Sequence, residues 1–252
     1  MKEKIKEFLI NLFLKIRFRF FKELCVPVDF SKRKLVFYDD FKTLDNFNIK
    51  YNEFYNDNSV WFCRDSVKLS SEGLVISCKK DGNVHTSWQG TRTTKWKSGL
   101  VDTRGKVEYS MGIWEIEAKF NGGWPAIWLL KNDYIPEGYT KPTIIPEIDV
   151  LETINSKFRH TVHWGYTNDN TYRRIGTGSS ICKWDDKFHN IAVELLDDGY
   201  RFFIDGILTA QFRNSDKEFV TSEKNYILLN GANDKNSDDE SDIIFKSIRF
   251  YK

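Results

Sequence analysis

The stretch Ile113–Phe120 constrains the fold more than any other part of the chain. Trp114, Ile116, Ala118 and Phe120 alternate with Ile113, Glu115, Glu117 and Lys119. A period of two places successive side chains on opposite faces, so this is a strand with one buried face and one mostly polar face. Shorter runs of the same kind occur at Leu35–Tyr38, Leu74–Cys78, Trp124–Leu130, Glu147–Glu152 and His160–Trp164. They continue at Asn190–Leu195, Tyr200–Ile204, Ile207–Phe212, Tyr226–Leu229 and Ile243–Tyr251. Asp205-Gly206 between two apolar runs predicts a hairpin, and Asp197-Asp198-Gly199 predicts another turn. Helical periodicity is nearly absent past residue 35, which predicts an all-β sandwich or jelly roll. No repeat of 20–50 residues is present. The 252 residues suffice for one large all-β domain.

The first 24 residues differ. Ile5, Phe8, Leu9, Leu12, Phe13 and Ile16 follow helical spacing, with Lys4, Glu7, Asn11 and Lys15 on the other face. Through Lys22 there are seven basic and two acidic residues, a net of +5, so the remainder carries −3 of the chain's +2. Residues 1–34 therefore read as a basic amphipathic segment preceding a domain at 35–252. A secretory leader is disfavoured, because Asn11 breaks the apolar run and no small-residue cleavage site follows. Two further readings stay open, an interfacial helix on a membrane and a helix docked on the body or on a protein partner. Location is not legible from this segment.

Lys plus Arg total 38 and Asp plus Glu total 36. That balance speaks against a nucleic-acid partner, which selects a strong basic excess. No run of 18 apolar residues is present for a membrane-crossing helix. Cys25, Cys63, Cys78 and Cys182 match neither a zinc spacing nor a CxxC redox pair, and read as small buried hydrophobes. The acidic stretch Asn233–Asp242 reads as a solvated loop.

The chemistry concentrates in Pro146-Glu147-Ile148-Asp149-Val150-Leu151-Glu152. Three carboxylates interrupt an apolar strand, where an unpaired buried charge is costly. Glu147 and Asp149 share a face. Glu152 has the opposite parity, and one extra residue, a β-bulge around Val150–Leu151, would return it to the shared face. Glu147 and Glu152 would then lie about 13 Å apart at Cα, with side chains able to lean toward the separation of about 5–5.5 Å that a retaining glycosidase needs. Crowded like charges split the pKa values, so one group stays protonated while another is ionised. Spacing alone also permits an edge strand with solvated acids.

Glu-Ile-Asp-Val-Leu-Glu resembles the bulged active-site signature of glycoside hydrolase family 16. Gly123-Trp124-Pro125-Ala126-Ile127-Trp128-Leu129-Leu130 is similar to that family's Trp-Pro-Ala-x-Trp segment. The likeness runs from about residue 35 to 252 and includes Phe37–Phe41, Ser98–Thr103, Phe188-His189, Tyr200–Gly206 and Leu229-Asn230-Gly231. It implies a curved two-sheet antiparallel jelly-roll sandwich of the concanavalin type. It implies Glu147 as nucleophile, Glu152 as general acid/base and Asp149 as their tuner, with no metal and no organic cofactor. Trp124 and Trp128 would stack on sugar rings, and His163 and Asn230 would hydrogen-bond substrate; His160 reads as structural.

Three positions depart from the family pattern. Glu117 stands where many members have Arg, and Leu195 where Trp is frequent. Lys246 replaces an Asp that helps bind a structural calcium, so no calcium is expected. The implied activity is a retaining endo-β-glycosidase, laminarinase-like, cutting β-1,3-glucan as a monomer on a polysaccharide substrate. Hydrolysis of an algal galactan such as agar, porphyran or carrageenan is the alternative. A non-catalytic carbohydrate-binding jelly roll would not need the carboxylate trio. A structural surface protein, docked through its basic helix, is a further reading that concerns only the tail.

Overall fold

A strand whose alternate side chains are all apolar must place that face against another layer, and Gly112–Phe120 (β11) does so. Trp114, Ile116 and Ala118 are fully buried and Phe120 nearly so, while Glu115, Glu117 and Lys119 stay half-exposed. The computed structural model describes residues 2–55, 59–131, 146–153, 158–164, 173–177, 185–213, 223–233 and 238–252. Cys182, and residues 234–237 of the acidic stretch, lie outside the described residues.

Two large sheets face each other. The seven-stranded sheet runs in the order β15 (Arg173–Gly176), β14 (Phe158–Trp164), β13 (Glu147–Thr153), β12 (Ala126–Lys131), β19 (Asn225–Asn230), β10 (Leu100–Asp102) and β2 (Asn48–Lys50). The eleven-stranded sheet runs β18 (Ile207–Arg213), β17 (Gly199–Ile204), β16 (His189–Leu196), β11, β20 (Ser241–Tyr251), β6 (Gly73–Lys80), β9 (Trp96–Ser98), β4 (Val60–Phe62) and β3 (Glu53–Tyr55). In it β1 (Leu35–Asp39) pairs with β20, and β5 (Val67–Ser70) pairs with β6. A separate ribbon joins β7 (Val84–Ser87) to β8 (Gly90–Thr93). The expected jelly-roll sandwich is present, and among the described residues its antiparallel pattern has one exception, the parallel pair β4 and β9.

Between the sheets lies the main core. Trp114, Ile116 and Phe120 of β11 join Ile148, Val150 and Leu151 of β13, Ile227 and Leu229 of β19, and Phe202 of β17. The apolar residues of β13 thus point inward, which leaves its carboxylates on the opposite face. There β4 and β9 bring Val60, Phe62 and Trp96 against Leu100, Tyr226 and Leu228. Tyr55, Trp124 and Trp128 pack at the margin of this second cluster.

The hairpin at Asp205-Gly206 forms as expected, with φ of 53° and 73° at the two central residues, the left-handed pair such a turn requires. A side chain at Gly206 would meet the Val28 carbonyl at 2.8 Å, because the N-terminal segment passes there. That segment packs on the same body. Phe30 is buried against Ile113, Ala192, Phe203 and Tyr251, its ring edge-on to Phe203 at 5.1 Å.

The N-terminal helix α1 (Lys2–Phe21) docks along β18, but not through its apolar stripe. Leu14 and Phe18 are buried, while Ile5, Phe8, Leu9, Leu12, Phe13 and Ile16 remain exposed. The physical reason lies in the edge of the sheet. The outer side of β18 presents unpaired backbone N–H and C=O groups, and polar side chains complement them better than apolar ones. Asn11 donates Nδ2 to the Gln211 carbonyl at 2.8 Å and accepts from the Gln211 N–H at 2.8 Å. Glu7 accepts from the Arg213 N–H at 2.7 Å, and Arg17 donates to the Leu208 carbonyl at 3.3 Å. Lys22 closes the attachment with a 2.8 Å ion pair to Asp205.

These contacts separate two aromatic residues of one segment. Phe30→Ala should lower unfolding stability by about 3 kcal/mol or more. Phe13→Ala, on the exposed stripe, should change it by no more than about 0.5 kcal/mol. Urea unfolding of the two variants at neutral pH checks the contrast.

Candidate active site

The seven-residue strand β13 carries one residue more than its neighbours can pair. Against β14, Glu147 faces His163, Asp149 faces Thr161 and Glu152 faces Arg159. Two residues, Val150 and Leu151, therefore oppose the single residue His160. Against β12 the register breaks at the same place, with Leu151 opposite Ile127 and Asp149 opposite Trp128. This is the bulge expected from parity, and it puts Glu147, Asp149 and Glu152 on one face.

His160 holds the bulge from the core side. It is fully buried, and its Nδ1 lies 2.5 Å from the Val150 carbonyl. A carbonyl only accepts, so Nδ1 carries the proton, and Nε2 stands 2.8 Å from the Thr209 hydroxyl, whose single proton is shared between Nε2 and the Phe202 carbonyl at 3.0 Å. Burial pushes the imidazole down to about 4, so the ring is neutral at physiological pH. The residue read as structural is the clamp on the chain's key irregularity.

Around the carboxylates the side chains converge. Ligand atoms of Glu147, Asp149 and His163 lie within 4.8 Å of one another. His163 Nε2 stands 2.9 Å from Asp149 Oδ2, an ion-pair distance without the alignment of a hydrogen bond. Trp124 donates its indole N–H to Glu152 Oε1 at 3.2 Å. Its approach is set by Gly123, where φ is +73° and a side chain would strike Ser241 Oγ at 2.3 Å. Trp128 donates to Asn230 Oδ1 at 2.7 Å, and Asn230 is itself buried. Both tryptophans are half-buried. Six of the seven sequence-predicted site residues thus fall on four neighbouring strands, β14, β13, β12 and β19, and Trp124 lies two residues before β12.

The electrostatics follow from crowding and burial. Burial raises Glu147 to about 8, with the Asp149 charge adding to it. Burial and the Glu152 charge raise Asp149 well above the usual carboxylate range. Glu152 is raised by burial and held back by the Trp124 hydrogen bond, then by His163, Arg159 and Arg174. Burial lowers His163. Asp149 and His163 are both driven toward their neutral forms, a protonated carboxyl beside an uncharged imidazole. Glu147 is raised to a value the nucleophile's role would not by itself ask for. The trio titrates as a unit, and its protons belong to the cluster rather than to one carboxyl.

The profile of glycosyl hydrolases family 16 matches residues 54–242, well over half of the chain. The chain belongs to that family. It is a glycoside hydrolase, built on this family's β-sandwich. Solved structures agree in fold. The laminarinase catalytic domain of Thermotoga petrophila RKU-1 superposes with a TM-score of 0.69 at 20% identity, covering 90% of this chain and 99% of that one. The laminarinase of Flavobacterium sp. UMI-01 gives 0.66 at 23%, covering 87% and 100%. The endo-β-1,3-glucanase of Pyrococcus furiosus gives 0.69 at 19%, covering 90% and 97%. No curated protein sequence matches the chain.

Two departures of this family 16 chain meet in space. Lys246 Nζ pairs with Glu117 Oε1 at 2.7 Å, so each unusual charge is neutralised by the other. Cys25, Cys63 and Cys78 are free; Cys78 is buried as expected, whereas Cys25 and Cys63 are only half-buried. Four neighbours of the site escaped sequence reasoning. Arg159 and Arg174 share the carboxylate face, opposite Glu152 and His163 respectively. The bulge register, counted along β14, would have found Arg159. Tyr55 is raised by burial and by Glu147, Glu152 and Asp149, which keeps its phenol protonated beside the trio. Tyr226 is raised to about 12, again chiefly by burial. Tyr55 lies on a three-residue strand with no periodicity to announce it.

The raised Glu147 carries a stability signature. The unfolded carboxyl ionises near 4.5 and the folded one near 8, so the folded state binds more protons between these values. Wild type therefore loses stability as pH rises through that window. Glu147→Gln should be more stable than wild type by roughly 1–2 kcal/mol at pH 8.5. The gain should vanish below pH 4, as read by thermal or urea unfolding at both pH values.

Proposed function

We propose that the chain is a retaining endo-β-1,3-glucanase working by double displacement. The observation that carries this reading is the bulge that brings Glu147, Asp149 and Glu152 to one face beside Trp124 and Trp128. The printed activities of the laminarinases and the endo-β-1,3-glucanase that share the fold support the choice of substrate.

In the first step Glu147, ionised after releasing its proton to solvent, attacks the anomeric carbon with a carboxylate oxygen as the glycosidic bond breaks. The leaving oxygen takes a proton from Glu152. In the second step Glu152 removes a proton from water, and that water displaces Glu147 from the anomeric carbon. A protonated Asp149 keeps the crowded site from carrying three charges. As Glu147 gives up its charge to the new bond, the repulsion it felt disappears, which favours the glycosyl-enzyme. Trp124 presents its ring to a sugar and its N–H to Glu152; Asn230 fixes Trp128 at the required angle.

A second reading draws on Arg159 and Arg174. Both lie on the carboxylate face close enough to lower Glu152. Cationic side chains in that position favour a substrate bearing sulfate or another anion, such as a charged algal galactan. A panel of laminarin, lichenan, agarose, porphyran and carrageenan, read by reducing ends and product length, separates the two. Laminarin should be cut fastest, with oligosaccharides rather than single sugars as early products; preference for a sulfated galactan would replace the glucanase reading.

Glu152→Gln should lower kcat by about 10²–10⁴-fold. Glu147→Ala should be inactive, regain turnover with azide, and then yield a glycosyl azide of inverted anomeric configuration. An azide product of retained configuration would refute the assignment of the nucleophile.

Trp124→Phe keeps an aromatic wall but removes the N–H that holds Glu152 down. The pKa of Glu152 should rise. If Glu152 delivers the proton, the alkaline limb of kcat/KM against pH should move to higher pH. Profiles of wild type and variant on one oligosaccharide check the direction.

A further inference from the structure

Outside the cleft, the strongest unused feature is the outward face of α1. Ile5, Phe8, Leu9, Leu12, Phe13 and Ile16 are 54, 65, 55, 36, 62 and 42% exposed. Phe20 extends the stripe at 67%. At 3.6 residues per turn these side chains occupy an arc of roughly 140°. Lys15 borders the arc on one side and Lys6 on the other, and Arg19 stands near its end. The apolar surface continues past the helix through Leu24 and Val26, 80 and 89% exposed. A contiguous apolar surface of this size marks an interaction site.

The helix cannot roll over to hide it. Its other side is fastened by the paired Asn11–Gln211 hydrogen bonds, by Glu7 on the Arg213 N–H, and by buried Leu14 and Phe18. Lys22 pins the C-terminal end to Asp205. The stripe is therefore presented outward by design of the docking, not by a free tail.

From these observations we infer that α1 is an interfacial anchor that lays this face on an anionic phospholipid surface. Three facts select that occupant. The segment through Lys22 carries +5 and the rest of the chain −3; Lys22 and Arg17 are engaged with the body, and Lys6, Lys15 and Arg19 stand beside the apolar stripe. Basic side chains flank the stripe on both sides, which places ammonium groups at headgroup level when the phenylalanines enter the acyl boundary. A second copy of the chain would bring another +5 helix against the first, so self-association is opposed by charge. Among the described residues no helix is long and apolar enough to cross a membrane. A 20-residue helix lying flat spans about 30 Å of surface. The carboxylates sit on the seven-stranded sheet, whereas α1 lies on the edge of the other, so anchoring leaves the cleft free.

The test uses the full chain with sedimentable vesicles of phosphatidylcholine alone and of phosphatidylcholine with 30% phosphatidylserine. Wild type should sediment with the phosphatidylserine vesicles at 50 mM salt, at least tenfold more than with neutral ones. Binding should fall several-fold at 0.5 M salt, because screening shortens the reach of the charges. Phe8→Asp with Phe13→Asp should abolish sedimentation while circular dichroism and urea unfolding stay those of wild type. The inference is overturned if wild type remains in the supernatant with anionic vesicles. It is equally overturned if the double variant binds as well as wild type, or if light scattering shows a dimer that the double variant dissolves.

Discussion

The hydrogen bond from His160 to the Val150 carbonyl sits where the whole site is decided. In an unbroken strand Glu152 would take the parity of Ile148 and point into the core between the sheets, where a carboxyl would be stranded among apolar side chains. The extra residue reverses that parity. A bulge leaves backbone groups without ladder partners, and one of them is the Val150 carbonyl. A buried, neutral imidazole supplies the missing donor, and Thr209 on the facing sheet holds the ring. The two sheets are thus coupled through a single histidine to the geometry of the carboxylates.

Bringing three carboxylates together has a cost that the fold carries rather than removes. Each is raised first by burial, and Glu147 and Asp149 are raised further by a neighbouring carboxylate's charge. Trp124 and the Asp149–His163 pair relieve part of the crowding, as do Arg159 and Arg174 at Glu152. The residual repulsion is what drives one proton to stay bound beside an ionised neighbour, the condition that acid/base work on a glycosidic bond demands. A site tuned for chemistry is in this way less stable than the same strand with neutral side chains would be.

The N-terminal helix shows the same economy at the sheet edge. An open edge strand invites further strands to pair, and here polar side chains of a helix occupy its backbone groups instead. That docking consumes the polar face and leaves the apolar one outward, the reverse of how a helix ordinarily meets its own domain. The pair Glu117 and Lys246 makes a related point: two charges that look misplaced separately form one short ion pair once β11 and β20 lie side by side.

Alternation alone determined the strands of the sandwich. Runs such as Ile113–Phe120 and Tyr200–Ile204 have no other way to bury one face, and all eleven expected strands are present to within two residues. The hairpin at Asp205-Gly206 was equally legible, because its left-handed pair is a local demand. The carboxylate trio was legible too, and parity offered the bulge, but spacing alone also allowed an edge strand with solvated acids, and it was the resemblance to family 16 that favoured the bulge. The three- and four-residue strands were not, because a period of two needs more residues than they have; Tyr55 was lost with them. Only the tertiary structure decided which face of α1 docks, since helical periodicity identifies an apolar stripe but not the unpaired edge that outcompetes it. It alone decided that Asn230 stands behind Trp128, and that Arg159 and Arg174 flank Glu152. These are matters of register between strands far apart in the chain, and register is set by the packing of whole sheets rather than by any local run of residues.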